Sequence, residues 1–281
     1  MKTEGITQQP VALVTGTSSG MGLWTAVGLA QEGLRVVATM RDIDRGGKLR
    51  QAAGVEVDLR TLDVTDRAGI AACLGGIRAD LGEVEILVNN AGRGAVGTLE
   101  QLGDDVLQEQ LDVNYLGVAA LSRAVLPAMR TLGRGRIVTV TSVGGAVGQP
   151  FADAYCGAKF AVEGLMQSLA PVAASFGVGI SIVEPAAVAS DFVTNAEVRS
   201  RPGIDDDPYA ELLAAYLRRS EAAFANAQDA RAAAATIIEA ATTTAPKFRW
   251  QTSPGASAFV GLSLADIDGR RVIDQTATWI A

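Results

Sequence analysis

Six short apolar runs alternate with helix-period segments of about 10 to 25 residues over most of the first 185 positions. Because these runs lack polar alternation, each is expected to be a strand buried on both faces of a sheet. Helices between successive strands fit right-handed crossovers, which join parallel strands. The pattern therefore predicts an α/β fold, a doubly wound parallel sheet covered by helices. The runs are residues 11–15, 35–40, 56–64, 85–92, 136–142 and 179–185.

The length of 281 residues suits one large α/β domain, so residues 1–281 are expected to form a single unit. Residues 192–235 interrupt the alternation with two prolines, an acidic triplet at 205–207 and the start of an alanine-rich stretch at 222–241. Long insertions at the carboxyl end of such a sheet often cover the ligand, so this segment is predicted to be a helical substrate lid. A surface excursion without a role is the alternative.

Composition excludes several classes of site and partner. The chain has no histidine, so Ser-His-Asp and Cys-His catalysis and His-ligated metals are excluded. Its two cysteines, Cys73 and Cys156, form neither a disulfide framework nor a metal cluster, and no metal is expected. The net charge of −7 argues against nucleic acid. We expect a cytoplasmic protein without membrane contact, since neither a signal peptide nor a spanning apolar stretch is visible.

A glycine-rich turn, Thr15-Gly16-Thr17-Ser18-Ser19-Gly20-Met21-Gly22, directly follows the first strand and opens a helix. Glycines permit the tight turn and let backbone amides approach a pyrophosphate, which then rests at the helix N-terminus. This placement predicts a dinucleotide-binding Rossmann fold. The predicted contacts in the turn are Gly16, Ser18, Ser19, Gly20, Met21 and Gly22.

Tyr155 and Lys159 lie four residues apart, and Ser142 lies thirteen residues upstream of the tyrosine. On a helix, this spacing places the phenol and the ammonium on one face. A nearby cation is expected to lower the tyrosine pKa and make the phenol a usable proton donor and acceptor. The alternative is a solvated helix face.

With these motifs in order, the chain resembles the short-chain dehydrogenase/reductase family over roughly residues 10–195. It is most similar to the hydroxysteroid and retinol dehydrogenase branch, as shown by Phe-Ala-Asp-Ala-Tyr-Cys-Gly-Ala-Lys and Leu-Asp-Val-Asn-Tyr-Leu-Gly. The matching motifs are Thr15-Gly16, Gly20-Met21-Gly22, Asp63-Val64, Asn89-Asn90-Ala91-Gly92, Asn114, Ser142, Tyr155 and Lys159.

The resemblance implies an oxidoreductase that transfers a hydride between a nicotinamide cofactor and a ketone or secondary alcohol. Tyr155 would exchange a proton with the substrate oxygen, and Ser142 would orient that oxygen. Lys159 would bind the nicotinamide ribose, and Asn114 would hold a water that links Lys159 to solvent. As alternatives, Asn114 could cap or kink a helix, and Ser142 could be a strand-end turn residue.

Cofactor choice depends on the end of the second strand, where Met40 replaces the acidic residue typical of NAD enzymes. Arg41 follows it and suits a 2′-phosphate, so NADP(H) is favoured. A one-residue slip would instead make Asp42 a ribose ligand and favour NAD(H). Further cofactor contacts implied by the resemblance are Asp63, Val64, Asn90, Ala91, Gly92, Tyr155, Lys159, Pro185 and Val188.

The chain departs from the family at Ala186, where glycine is usual. The substrate is expected to be a bulky, apolar ketone or alcohol, and a homodimer or homotetramer is expected through helices near 107–131 and 153–175. The alternatives are an NAD-dependent alcohol dehydrogenase of the same fold and a non-catalytic dinucleotide sensor. Candidate substrate contacts are Ser142, Val143, Gly144, Phe151 and Phe192, with Tyr209 or Tyr216 from the lid.

Overall fold

A computed structural model describes residues 9–54, 56–190, 197–198, 207–265 and 278. Its main feature is a seven-stranded, fully parallel sheet with the order β3-β2-β1-β4-β6-β7-β9. The predicted α/β class and doubly wound parallel sheet are thereby confirmed. The strands of this sheet are β1 Val11–Thr15, β2 Arg35–Met40, β3 Asp58–Thr61, β4 Val84–Asn89, β6 Gly135–Val140, β7 Val178–Glu184 and β9 Arg249–Gln251.

All six predicted strands are present, and a seventh lies beyond them. The structure ends β4 at Asn89 and shortens β3 to four residues. Strand β9 pairs with β7 in the register Ile182↔Arg249 and buries Trp250. A separate two-stranded pairing joins β5 (Ala95–Val96) to β8 (Glu197–Val198).

Helices cover both faces of the sheet because alternate residues of each strand point to opposite sides. Leu13 of β1 belongs to the core beneath α3, α5 and α6, whereas its neighbour Val14 belongs to the core beneath α1 and α8. Both side chains are fully buried, so truncating either to alanine should cost about 1 to 5 kcal/mol. The helices are α1 Gly20–Gln31, α2 Gly47–Ala53, α3 Arg67–Asp80, α4 Asp104–Leu111, α5 Gly117–Leu132, α6 Asp153–Ala174, α7 Ala210–Ala225, α8 Ala230–Thr242 and α9 Pro254–Leu264.

A π turn at Asp112–Leu116 joins α4 to α5 without interrupting the helical path. At its end, the Gly117 amide donates to the Asp112 carbonyl, five residues back instead of four. Such turns insert one extra residue into a helix and frequently mark functional positions. Asn114 lies at the centre of this turn.

The alanine-rich stretch expected in the lid belongs to two different helices. Its first residues end α7, but α8 packs on the sheet and buries Ala233, Ala234 and Ile237. The predicted lid, residues 192–235, therefore includes the first residues of a helix that packs on the sheet. Small apolar side chains let this helix, α8, approach α1 closely. Residues 192–196 and 199–206 lie outside the described residues.

None of the helices in the described ranges is long and apolar enough to cross a membrane. The same ranges contain no cluster of three or more Cys, Asp or Glu side chains arranged to hold a metal ion.

Candidate active site

A cleft of about 1790 Å³ opens at the carboxyl ends of β1, β2, β4, β6 and β7. This is the edge at which doubly wound sheets bind ligands. Predicted site residues that line it are Gly16, Ser18, Ser19, Gly20, Met21, Gly22, Arg41, Asp63, Val64, Asn90, Ala91, Gly92, Ser142, Val143, Tyr155, Lys159, Pro185 and Val188.

The glycine-rich turn after β1 is held against the loop after β4. The Thr15 hydroxyl accepts hydrogen bonds from the amides of Asn90 and Ala91, each at 3.0 Å. The Asn90 side-chain amide donates to the carbonyl of Gly16 at 3.1 Å. A β-carbon at Gly22 would lie 2.3 Å from that same carbonyl oxygen, so only glycine fits there.

The N-terminus of α1 faces the cleft and is not capped by a side chain. Ser19, its N-cap residue, is extended and its hydroxyl makes no capping hydrogen bond. Gly16 and Gly20 adopt φ values of +69° and +58°, which turn the backbone around this end of the helix. The positive end of the helix dipole and the first-turn amides together favour an anion at this point.

Charged residues gather where β2 ends. Arg41, Asp42 and Arg45 all line the cleft, and Met40 is buried beside them. The Asp42 carboxylate accepts the Asp44 amide at 2.9 Å and so caps the short 3₁₀ turn Ile43–Gly46.

Asp63 lines the cleft beside this charged group. Burial acts to raise the pKa of Asp63, but hydrogen bonds from Thr65 and the charge of Arg41 outweigh it, and the pKa is lowered. A carboxylate therefore stands near Arg41 in the free protein.

Tyr155, Lys159 and Ser142 converge on the floor of the cleft. Tyr155 and Lys159 lie on one face of α6, as their spacing predicts, and Ser142 follows β6. The Ser142 hydroxyl lies beside the Tyr155 phenol and acts to lower its pKa as a hydrogen-bond donor. The Lys159 ammonium donates to the Val140 carbonyl at 3.1 Å and lies 5.7 Å from the centre of the Tyr155 ring.

The expected lowering of the tyrosine pKa by Lys159 is wrong for the protein alone. Burial raises the pKa of Tyr155, and the Ser142 hydrogen bond opposes that rise only in part. Burial also lowers the pKa of Lys159 to about 8, against a smaller raising effect of Glu163. The physical reason is desolvation, which favours the neutral form of both groups.

Asn114 lies behind the cleft wall and is fully buried. Its side-chain amide donates to the carbonyl of Arg93 at 2.9 Å and to Oε1 of Gln110 at 3.1 Å, while its oxygen accepts the Arg93 amide at 3.2 Å. A β-carbon at Gly92 would lie 3.1 Å from that oxygen and 3.6 Å from the Lys159 ammonium. Glycine at position 92 thus lets the Asn114 oxygen and the Lys159 ammonium lie close to the backbone of residue 92, where a side chain would crowd both.

Apolar and aromatic side chains form part of the cleft wall, and the sequence pattern predicted only some of them. Val143 and Tyr216 line it as expected. Phe224 and Phe259 line it as well and were missed. Phe224 follows Tyr216 by eight residues, so the helical period of α7 could have revealed it, whereas nothing in the sequence of α9 singled out Phe259.

Three predicted substrate contacts are not part of this wall. Phe151 is 3% exposed, has a φ of +58° and packs behind Tyr216 with 5.5 Å between ring centres. Its ring therefore packs against Tyr216 in the interior instead of lining the cleft. Tyr209 instead donates to Glu100 at 2.6 Å, and Gly144 is buried behind the surface. Phe192 lies outside the described residues.

Comparison with known proteins agrees with this geometry. The family model described as short chain dehydrogenase matches residues 10–200. The chain is 38% identical over 272 residues to retinol dehydrogenase 8 of Bos taurus, covering 92% of this chain and 86% of that protein. It is 42% identical over 192 residues to human 17-beta-hydroxysteroid dehydrogenase type 1, covering 65% and 58% respectively.

A solved structure from Burkholderia phymatum gives the same result in three dimensions. That short chain dehydrogenase/reductase, in complex with NAD, superposes with a TM-score of 0.81 at 29% identity, covering 94% of this chain and 96% of the other. A metagenomic short-chain oxidoreductase in complex with NADP has a TM-score of 0.61 at 34% identity, covering 63% and 82%. The chain belongs to the short chain dehydrogenase family, and within it is similar to the retinol and hydroxysteroid dehydrogenases.

Proposed function

We propose that this protein is an NADP(H)-dependent oxidoreductase that interconverts a bulky, apolar ketone and the corresponding secondary alcohol. The observation that carries this proposal is that Ser142, Tyr155 and Lys159 line one cleft together with the Gly16–Gly22 turn. A proton donor and an anion-binding helix end thus face the same space.

The residues along the cleft fit a nicotinamide dinucleotide. Gly16, Gly20 and Gly22 let the turn pack closely against the neighbouring loops, and its uncapped helix end suits a pyrophosphate. At one end Arg41 and Arg45 offer cationic groups, and at the other Lys159 lies beside Tyr155. When bound, such a cofactor would supply or accept the hydride.

Tyr155 is the proposed proton donor for carbonyl reduction. Its raised pKa keeps the phenol protonated in the free protein, which is the form that donates. The Ser142 hydroxyl, fixed by the Gly144 amide at 2.9 Å, is placed to orient a substrate oxygen beside the phenol. Lys159 would bind ribose hydroxyls with its ammonium, and Asn114 would support the backbone that carries Arg93.

The end of β2 favours NADP(H) over NAD(H). Arg41 and Arg45 line the cleft and offer two guanidinium groups to a 2′-phosphate. A planar guanidinium can bind a phosphate through two parallel hydrogen bonds. The Asp42 carboxylate, the competing ribose ligand, is engaged by the Asp44 amide. Met40 offers no acceptor at the strand end.

The apolar wall supports a bulky, hydrophobic substrate. Val143, Tyr216, Phe224 and Phe259 line the same cleft as Ser142 and Tyr155. The two curated relatives described above are named as retinol and hydroxysteroid dehydrogenases, which is consistent with such a substrate.

We also propose that the protein is a homo-oligomer that pairs through α5 and α6. An apolar groove of about 420 Å³ runs between these helices, and its rim exposes Val172 and Phe176. Burying such a patch against a second copy would remove apolar surface from water.

The test is a steady-state screen of steroid, aliphatic and aromatic ketones with NADPH and NADH. We expect reduction of bulky ketones with a preference for NADPH. Binding of either nucleotide without turnover on any ketone would favour a dinucleotide sensor, and a preference for NADH would favour the NAD-dependent alternative.

A further inference from the structure

Helix α6 carries a third ionisable side chain on the face that presents Tyr155 and Lys159. Glu163 follows Lys159 by four residues, as Lys159 follows Tyr155, so the three side chains form one row. Only 3% of Glu163 is exposed. A β-carbon at Gly145 would lie 2.3 Å from its Oε1, so glycine there makes room for the carboxylate. Burying a carboxylate is unfavourable, and its partners therefore determine its role.

Glu163 belongs to a buried cluster in which one guanidinium serves two carboxylates. Arg249 of β9 donates to Oε2 of Glu163 at 2.7 Å and also contacts Oε1 of Glu184. Glu184, at the end of β7, is fully buried, and its second oxygen accepts from the Gln251 side chain at 2.6 Å. The two acids and one arginine leave one negative charge in excess when both acids are ionised.

Lys159, one turn before Glu163 on the same face of α6, adds a second positive charge near this cluster without a direct ion pair, because its ammonium donates to the Val140 carbonyl. Within the described ranges, the charged groups facing Glu163 come from three elements: Lys159 of α6, Glu184 of β7 and Arg249 of β9. Tyr155 is the other titratable group beside Lys159. Oε1 of Glu163 has no hydrogen-bond partner among the described residues, so its charge is not consumed by Arg249 alone.

The electrostatic effects on the individual groups agree with this arrangement. Burial lowers the pKa of Lys159, and Glu163 is the charged neighbour that raises it. Burial and the nearby Glu184 raise the pKa of Glu163, while the hydrogen bond and the charge of Arg249 oppose that rise only in part. The net result is a pKa of about 7 for Glu163, so the carboxylate is an anion across the range near pH 8 in which Lys159 titrates.

We propose that Glu163 is a positioning residue of the active site, whose carboxylate, held by Arg249 one helical turn from Lys159, favours the charged form of that lysine beside Tyr155. Its catalytic meaning rests on the proposed function, because Lys159 acts there on the cofactor ribose. The cluster also gives the short strand β9 a role in the site, because its arginine reaches the helix that carries the proton donor, about one turn beyond Lys159.

The test measures the protonation of Lys159 directly in the cofactor-free protein. The chain contains four lysines, Lys2, Lys48, Lys159 and Lys247, so ¹³Cε-lysine labelling gives few NMR signals, and Lys159→Arg assigns the relevant one. We expect Glu163→Gln to lower the Lys159 titration midpoint by about one pH unit, the order expected for a neighbouring, partly screened charge. Glu163→Asp should restore part of the shift. An unmoved midpoint in Glu163→Gln would overturn the proposal.

Glu163→Gln should fold, because it leaves a neutral Glu184–Arg249 pair. Glu163→Met, which also removes the charge, is the second variant and should lower the midpoint in the same direction. Glu239→Gln, on the exposed side of α8, is the matched control and should leave the midpoint unchanged.

Turnover is measured separately. In an active enzyme, the alkaline limb of the kcat profile should move down with the Lys159 midpoint in Glu163→Gln. A wild-type protein that reduces no ketone would contradict the proposed function while leaving the titration result intact. An active enzyme with an unmoved midpoint would contradict this inference alone.

Discussion

The Lys159 ammonium lies 5.7 Å from the centre of the Tyr155 ring, yet the hydrogen bond it makes is to the carbonyl of Val140. The lysine is thus anchored to the end of β6 before any cofactor arrives. Because both side chains are buried, each is driven toward its neutral form in the free protein. A bound ligand with polar groups would enter a site whose donors already stand in place.

Replacing Tyr155 with Phe should remove the proton donor and lower turnover roughly 100- to 10,000-fold. NADPH binding, followed by nicotinamide fluorescence, should persist because the ring is retained. Tyr209→Phe is the matched control, since Tyr209 bonds to Glu100 away from the cleft. Activity that survives in Tyr155→Phe would rule out its role as proton donor.

Replacing Arg41 with Ala should weaken NADPH binding about 10- to 100-fold, the range for a lost charge-assisted hydrogen bond, and affect NADH far less. Isothermal titration with both nucleotides measures the difference. Arg50→Ala, an exposed arginine on α2 outside the cleft, is the control. An equal loss for both nucleotides would point to Asp42 and the NAD alternative.

Replacing Phe224 with Ala should raise the KM for bulky ketones about tenfold, because apolar contact area with the substrate is lost. The affinity for NADPH should not change, since Phe224 lies on the apolar wall and the nucleotide phosphates are expected at α1. Substrate profiles of the variant and of Phe160→Ala, which alters an exposed phenylalanine on α6, provide the comparison. An unaltered substrate range would end the idea that α7 selects the substrate.

The burial of Lys159 should appear in the pH dependence of stability. Its folded pKa of about 8 lies below the ordinary value of 10.5, so the folded form binds fewer protons across that window. The free energy of unfolding contributed by Lys159 should therefore rise between pH 8 and 10.5, by up to about 3 kcal/mol. Urea unfolding of wild type and Lys159→Met across this range measures it, with Lys48→Met as control. A constant difference between wild type and Lys159→Met would contradict the assignment.

Replacing Val172 with Glu should dissociate the proposed oligomer into monomers. Val172 is 59% exposed on α6 beside the apolar groove, and a carboxylate there would be desolvated by a second copy. Light scattering after size-exclusion chromatography gives the mass. Leu99→Glu, which alters an exposed leucine outside the groove, should leave the mass unchanged. A wild-type protein that is monomeric would refute the pairing.

Strand positions could be predicted because apolar runs without alternation have one simple solution, a sheet buried on both faces. The glycine-rich turn was similarly informative, since Gly16 and Gly20 need positive φ and Gly22 needs a missing side chain. Strand β9 was not predicted because its three residues, Arg249–Gln251, are too few to show a hydrophobic pattern. Its pairing depends on β7 and on the charges of Glu163 and Glu184, which lie far away in sequence.

The expected pKa of Tyr155 failed for a related reason. Sequence spacing gives the distance between a phenol and an ammonium, but it does not give their burial. Desolvation depends on every element that closes over the pair, and here it outweighs the hydrogen-bonding effect of Ser142, which acts to lower the pKa of Tyr155. The position of Phe151 also depends on tertiary structure, because its burial and its ring contact with Tyr216 involve residues far away in sequence.

The π turn at Asp112–Leu116 determines how α5 is rotated about the helical axis relative to α4. Upstream of it, α4 orients Gln110 toward Asn114, and downstream α5 directs Val118 and Leu121 into the core. Deleting a single residue here would turn everything beyond it by about 100° relative to everything before it. A deletion would therefore misplace either the apolar side chains of α5 that pack in the core or the hydrogen bonds of Asn114. The segment Asp112–Leu116 should accordingly tolerate neither an insertion nor a deletion.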